Sequence, residues 1–111
     1  TRVVGPGWAK YLVMTGLPID AETALKIGLV TAVVPKDQLM DEAKKLAMKL
    51  AAKAPITTRV AKQCLNNSIS TDLSSGLAFE QKAVAFLFST EDAKEGLNAF
   101  IEKRKANFKG R

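Results

Sequence analysis

Chemistry in a protein needs side chains that move a proton, attack, or hold a metal, and these 111 residues offer few of them. There is no His at all, which removes the Ser-His-Asp hydrolases, the HExxH metalloproteases and every zinc site that needs imidazole. The single Cys64 excludes an intrachain disulfide and CxxC redox chemistry, and it fits a reducing compartment. It shares an apolar stripe with Ile56, Val60, Ala61 and Leu65, where a small buried hydrophobe is the default. Glu91-Asp92 and Asp41-Glu42 are the adjacent carboxylate pairs. Both fall in the opening turns of predicted helices, where acids favour the helix dipole. Glu80 lies within an apolar helix predicted over 73–88, a setting that can raise a carboxylate pKa, but Gln81 and Lys82 beside it point to an exposed stripe. Gly5-Pro6-Gly7 is not a phosphate loop, because it lacks the following GK[ST] and a preceding strand. Nothing here assembles a nucleophile, a base and an oxyanion site, so no catalytic residue and no metal ligand is assigned.

The basic tail is different. From Phe100 onward, Lys103, Arg104, Lys105, Lys109 and Arg111 stand against Glu102, so these last residues carry most of the formal +6. Phe100 and Phe108 lie beside them. One reading is a solvated helix end, which favours Lys and Arg. The other is an anion site for phosphate groups with an aromatic face for a base or ring, which both nucleic acid and a nucleotide-bearing cofactor would satisfy.

The elements that must position these residues are mostly helices. Pro6 suits the first turn of a helix that carries Trp8, Leu12 and Val13 and stops at Gly16. Pro18 keeps Leu17 extended, Asp20 can cap, and a short helix through Ala21, Ala24, Leu25 and Ile27 ends at Gly28. Leu29–Val34 (LVTAVV), closed by Pro35, reads as one short buried strand, although one strand needs partners that this chain does not supply. From Asp37 as N-cap, helical spacing runs to Lys53, and Pro55 opens the next helix. Residues 66–72 form a loop cluster. Leu73–Phe88 then ends in Ala-Val-Ala-Phe-Leu-Phe, apolar on all sides, and so needs cover from a neighbour or another subunit. A last helix starts at Ser89-Thr90-Glu91-Asp92 and ends in Lys103-Arg104-Lys105.

The length bounds one compact domain, and 47% apolar with 25% charged residues reads as globular. No stretch approaches the roughly 20 apolar residues of a membrane span, and TRVVGPGWAK lacks the long apolar core of a secretory signal. A chain that begins at Thr1 without Met reads as a processed or excised piece of something larger.

Three stretches look like the C-terminal part of the enoyl-CoA hydratase/isomerase (crotonase) family: LPIDAETALKIGLVTAVVPKDQL (17–39), APITTRVAKQCLNNS (54–68) and STEDAKEGLNAFIEKRKANFKGR (89–111). The last resembles the family's terminal pattern almost throughout, and its residue types are otherwise arbitrary. The resemblance implies a mainly α, C-terminal helical oligomerisation segment (1–111) of a ββα-spiral fold whose N-terminal catalytic core is absent from this chain. It implies that the parent is an enoyl-CoA hydratase of fatty-acid or acyl-CoA metabolism, adding water across a trans-2-enoyl-CoA. An isomerase or hydrolase of the same family, or a trimerisation module, are alternatives, and a small basic nucleic-acid binder is a remote one. Backbone N–H groups and two Glu side chains upstream would carry the chemistry, so no Glu here inherits a catalytic role.

By motif position, Phe100 would lie against the adenine of coenzyme A and Lys103 would meet a CoA phosphate, with Arg104 and Lys105 in solvent. Phe100 is equally a helix-face core candidate beside Leu97. Phe86, Leu87 and Phe88 read as oligomer interface or acyl-pocket lining. The implied partners are an acyl-CoA thioester and further copies of the chain, as a trimer or dimer of trimers, with no permanently bound cofactor, no membrane and no nucleic acid. The implied compartment is the cytoplasm, or the mitochondrial matrix in a eukaryote.

Overall fold

The computed structural model describes residues 1–111 and contains six α-helices, one 3-10 turn and no β-strand. The chain divides into two units, Thr1–Ala43 and Lys44–Arg111.

In the first unit, α1 (Gly5–Thr15) opens with Pro6 in its first turn and ends where Gly16 takes φ 64°, its amide donating to the Leu12 carbonyl at 3.1 Å. Only a residue without Cβ enters that left-handed turn freely, so the helix stops there. Trp8 and Tyr11, one turn apart, stack edge to face with ring centroids 5.5 Å apart. Asp20 accepts from the Thr23 amide at 2.7 Å and starts α2 (Ala21–Lys26). The only buried residue of α2 is Ala24.

The strand expected at 29–34 is not formed. The amides of Leu29 and Val30 both turn back onto the Ala24 carbonyl, at 2.9 and 3.3 Å, and so finish α2 instead of entering a ladder. Leu29, Val30 and Val33 are also exposed, not buried. A β-branched run becomes a strand only when another strand satisfies its N–H and C=O groups, and none exists in this chain. Lys36–Gln38 then make a 3-10 turn, so Asp37 sits inside that turn, not at a helix cap.

α3 (Leu39–Ala51) carries the unit boundary. It is followed by α4 (Pro55–Ser68), α5 (Leu73–Phe88) and α6 (Glu91–Ile101). α4 runs through all three residues of Asn66–Ser68, which their composition assigns to the loop cluster. Within the second unit α4 packs on α5, and α5 meets α6. Asp72 accepts from the Ser75 amide at 3.0 Å and from the Ser74 hydroxyl, capping α5, and these bonds hold its carboxyl well below the usual carboxylate range. Helices α3, α4 and α5 contain no buried residue, and Leu73, Phe86 and Phe88 at the ends of α5 are largely exposed. The unit is ordered locally by caps and turns, and its apolar faces remain open.

Candidate functional site

Thr90 joins α5 to α6. Its hydroxyl donates to the Leu87 carbonyl at 2.7 Å and accepts from the Ala93 amide at 3.1 Å, so one side chain closes one helix and opens the next. Two residues on, Asp92 is 3% exposed. Its carboxylate accepts from the amides of Lys109 and Gly110, at 2.7 and 2.8 Å, while its own amide donates to the Arg111 carbonyl at 3.0 Å. The chain after α6 therefore runs back along the helix and is fastened to its first turn. The Phe108 ring packs on α6 at Gly96, where a Cβ would stand 3.5 Å from it, at ordinary van der Waals contact. A Cβ at Gly110 would likewise stand 3.6 Å from Pro55 at the start of α4.

Further along α6, Glu95 faces the same tail. It accepts both terminal nitrogens of Arg104, at 2.6 and 2.9 Å, and the Asn107 amide at 2.8 Å. Arg104 also donates from Nε to Glu102. The guanidinium hydrogen bonds, and after them the Asn107 amide, hold the Glu95 carboxyl at about 2 instead of its ordinary 4.5. The same pairings raise the Arg104 pKa above its ordinary value. A depressed carboxylate contributes stability in full above pH 4.5 and loses it as pH falls toward 2. Stability should therefore fall more steeply across that window in the native protein than in a Glu95→Gln variant. Urea midpoints measured through the window check this, and parallel profiles would refute it.

Phe100 and Lys103 bracket the turn that ends α6. The Lys103 amide donates to the Phe100 carbonyl at 3.3 Å, and the Arg104 amide reaches Ala99 at 3.0 Å. This is a Schellman ending with Lys103, at φ 52°, where glycine is usual. Lys103 is the one non-glycine residue with positive φ in the chain. Phe100 is 84% exposed and Ile101 75%, so Phe100 is not part of this unit's core.

The helix ends at Ile101, before the basic run that was expected to close it. Lys103-Arg104-Lys105 belong to the turn and tail, because the left-handed step at Lys103 cannot continue a right-handed helix. Arg104 is not a free solvent cation, being shared between Glu95 and Glu102, and Arg111 pairs with Glu91 at 2.8 Å. The ammonium groups of Lys103 and Lys105 make no ion pair. The corner thus offers an exposed aromatic face and uncompensated positive charge, which suits a nucleotide-bearing anion. It offers no nucleophile or proton-transfer group placed for bond breaking.

Elsewhere, a groove of about 350 Å³ between α4 and α5 is lined by Cys64, Leu65, Leu73 and Leu77, with Glu80 at the same groove. Glu80 is exposed and Cys64 is a half-buried free thiol. Sequence reasoning took Asp92 for a helix-dipole acid and Arg104 for a solvent residue, and it did not single out Glu95. The signal that could have found them is the Glu-Asp-x-x-Glu-Gly run, set just ahead of a basic tail able to fold back on it.

The sequence pattern of the family described as Enoyl-CoA hydratase/isomerase matches residues 1–111, the whole chain. The chain belongs to the enoyl-CoA hydratase/isomerase family. It is similar to the short-chain-enoyl-CoA hydratase of Clostridium acetobutylicum, with 46% identity over 112 residues covering 100% of this chain and 43% of that protein. The crotonyl-CoA hydratase of Syntrophomonas wolfei is 43% identical over 107 residues, 96% of this chain and 41% of that one. A crystal structure of an enoyl-CoA hydratase from Bacillus anthracis superposes with a TM-score of 0.96 at 43% identity, over 99% of this chain and 43% of its own. The chain therefore spans about two fifths of the length of these enoyl-CoA hydratase/isomerase relatives. The helical architecture and the family resemblance read from the sequence are both borne out, apart from the strand.

Proposed function

We propose that the chain works as the C-terminal helical segment of an enoyl-CoA hydratase, which adds water across the 2,3-double bond of a trans-2-enoyl-CoA thioester. The observation that carries this reading is the unbroken likeness, across the entire chain, to relatives named for that reaction. In such a reaction preorganised N–H donors stabilise the enolate-like thioester oxygen, one carboxylate acts as base on water, and another supplies a proton to the α-carbon. Those groups belong to the catalytic core, outside these residues. The segment's own part is to bind and to assemble. The exposed Phe100 would lie against adenine, and the Lys103 ammonium would meet a phosphate of CoA. The open faces of α3, α4 and α5 would pack against the catalytic core and against further copies, as a trimer or dimer of trimers, in the cytoplasm or the mitochondrial matrix.

Activity separates the segment from the enzyme. A polypeptide of the relatives' length that carries this chain is expected to hydrate crotonyl-CoA, and residues 1–111 alone are expected not to. Hydration by the 111 residues alone, or none by the longer polypeptide, would overturn the reading.

A further inference from the structure

Lys103 holds a backbone conformation that a residue with a Cβ adopts only at a cost, and such residues persist where their surroundings over-determine them. The surroundings here are specific. The amide of Arg104 is tied to the carbonyl of Ala99, a residue only 2% exposed. The guanidinium of Arg104 forms a two-pronged fork on Glu95, a rigid geometry that a lysine could not reproduce. Its Nε engages Glu102 on one side of Lys103, and Nη1 reaches the Lys105 carbonyl, at 3.3 Å, on the other. Glu95 also grips the Asn107 amide. Residues 102–107 are thus fixed on both flanks of Lys103, whose own side chain makes no contact of this kind. Because two carboxylates already surround the Arg104 charge, it is poorly placed to receive an external anion.

We propose that Glu95 and Arg104 are positioning residues for Lys103: their fork holds the left-handed turn that aims the Lys103 ammonium, and so sets affinity for the nucleotide end of a CoA ester. This rests on Lys103 meeting a CoA phosphate, and the experiment keeps the two ideas apart. Kinetics of the full-length enzyme would be measured with crotonyl-CoA and with crotonyl-pantetheine, which shares the reacting group but lacks the nucleotide phosphates. Glu95→Gln and Arg104→Lys are each expected to raise KM for crotonyl-CoA about threefold or more at unchanged kcat. Both should leave the kinetics with crotonyl-pantetheine unaltered. Glu95→Gln keeps an oxygen for the Asn107 amide, so the fold survives the loss of charge. Asp72→Ala, which removes the cap of α5 away from the turn, should leave the ratio of the two KM values as it was.

If Lys103→Ala shifts that ratio while Glu95→Gln and Arg104→Lys do not, the positioning role is overturned and the CoA contact stands. If none of the three shifts it, the CoA contact itself falls, and the inference with it. Equal changes with both esters would mean that Glu95 and Arg104 serve the fold alone, which also overturns the proposal.

Discussion

Replacing Asp92 by Ala should lower the free energy of unfolding by about 3 kcal/mol, with the denaturant slope unchanged. The carboxylate is 3% exposed and accepts two backbone N–H bonds, from Lys109 and Gly110. Hydrogen bonds to a charged acceptor are worth about 1.5–3 kcal/mol each, and removing the acceptor leaves both donors without a partner. Part of the loss is recovered if water reaches the freed amides, which is why the expectation stays at the low end of the sum of the two bonds. Asp92→Asn should recover less than half of it, because its NH₂ group must face one of two N–H donors. Urea denaturation gives the total, and amide exchange at Lys109 and Gly110 shows where it is lost. A loss under about 1 kcal/mol, or exchange that does not change at those two amides, would mean that the tail is held by something else.

The second large effect separates what the backbone of Lys103 costs from what its side chain does. Lys103→Gly removes the left-handed penalty at φ 52° and should raise stability by up to about 1 kcal/mol. Lys103→Ala keeps the penalty and should leave stability near that of the native protein. Both remove the ammonium, so both should raise KM for a CoA ester about tenfold at unchanged kcat, the loss expected for one charge-assisted phosphate contact. The opposite signs for the glycine variant are the informative result, since a merely damaged corner would lose stability and affinity together. Added salt should narrow the gap between native and variant KM, because an exposed ammonium–phosphate pair is screened. If KM is unchanged in both variants, Lys103 has no part in binding CoA.

How much of this was legible in the sequence depended on how far each residue's partner lies along the chain. Pro6, Asp20, Asp72 and Thr90 act within one helical turn, and each marks the helix start that its type suggests. The strand at 29–34 failed because its β-branched composition is a local signal, whereas a strand is defined by a distant partner. Asp92 was read through its neighbours in the first turn of α6, but the donors it serves lie 17 and 18 residues away. Arg104 is exposed, as a solvent residue should be, but its fork on Glu95 was not legible for the same reason, the partner lying nine residues back. Phe100 stood between core and surface on spacing alone. The helix carrying it buries Asp92 and Ala99, and at 84% exposed Phe100 falls on the open side.

The return of the tail onto α6 also bears on how the molecule forms. Every bond that fastens it is made within residues 91–111, so closing this loop brings together ends fewer than two dozen residues apart. The entropy of closure rises only as the logarithm of loop length, and a ring this short closes early and cheaply compared with long-range contacts. The corner bearing Phe100 and Lys103 can then acquire its shape from its own stretch of chain, before any surface that would cover α3, α4 and α5 has arrived.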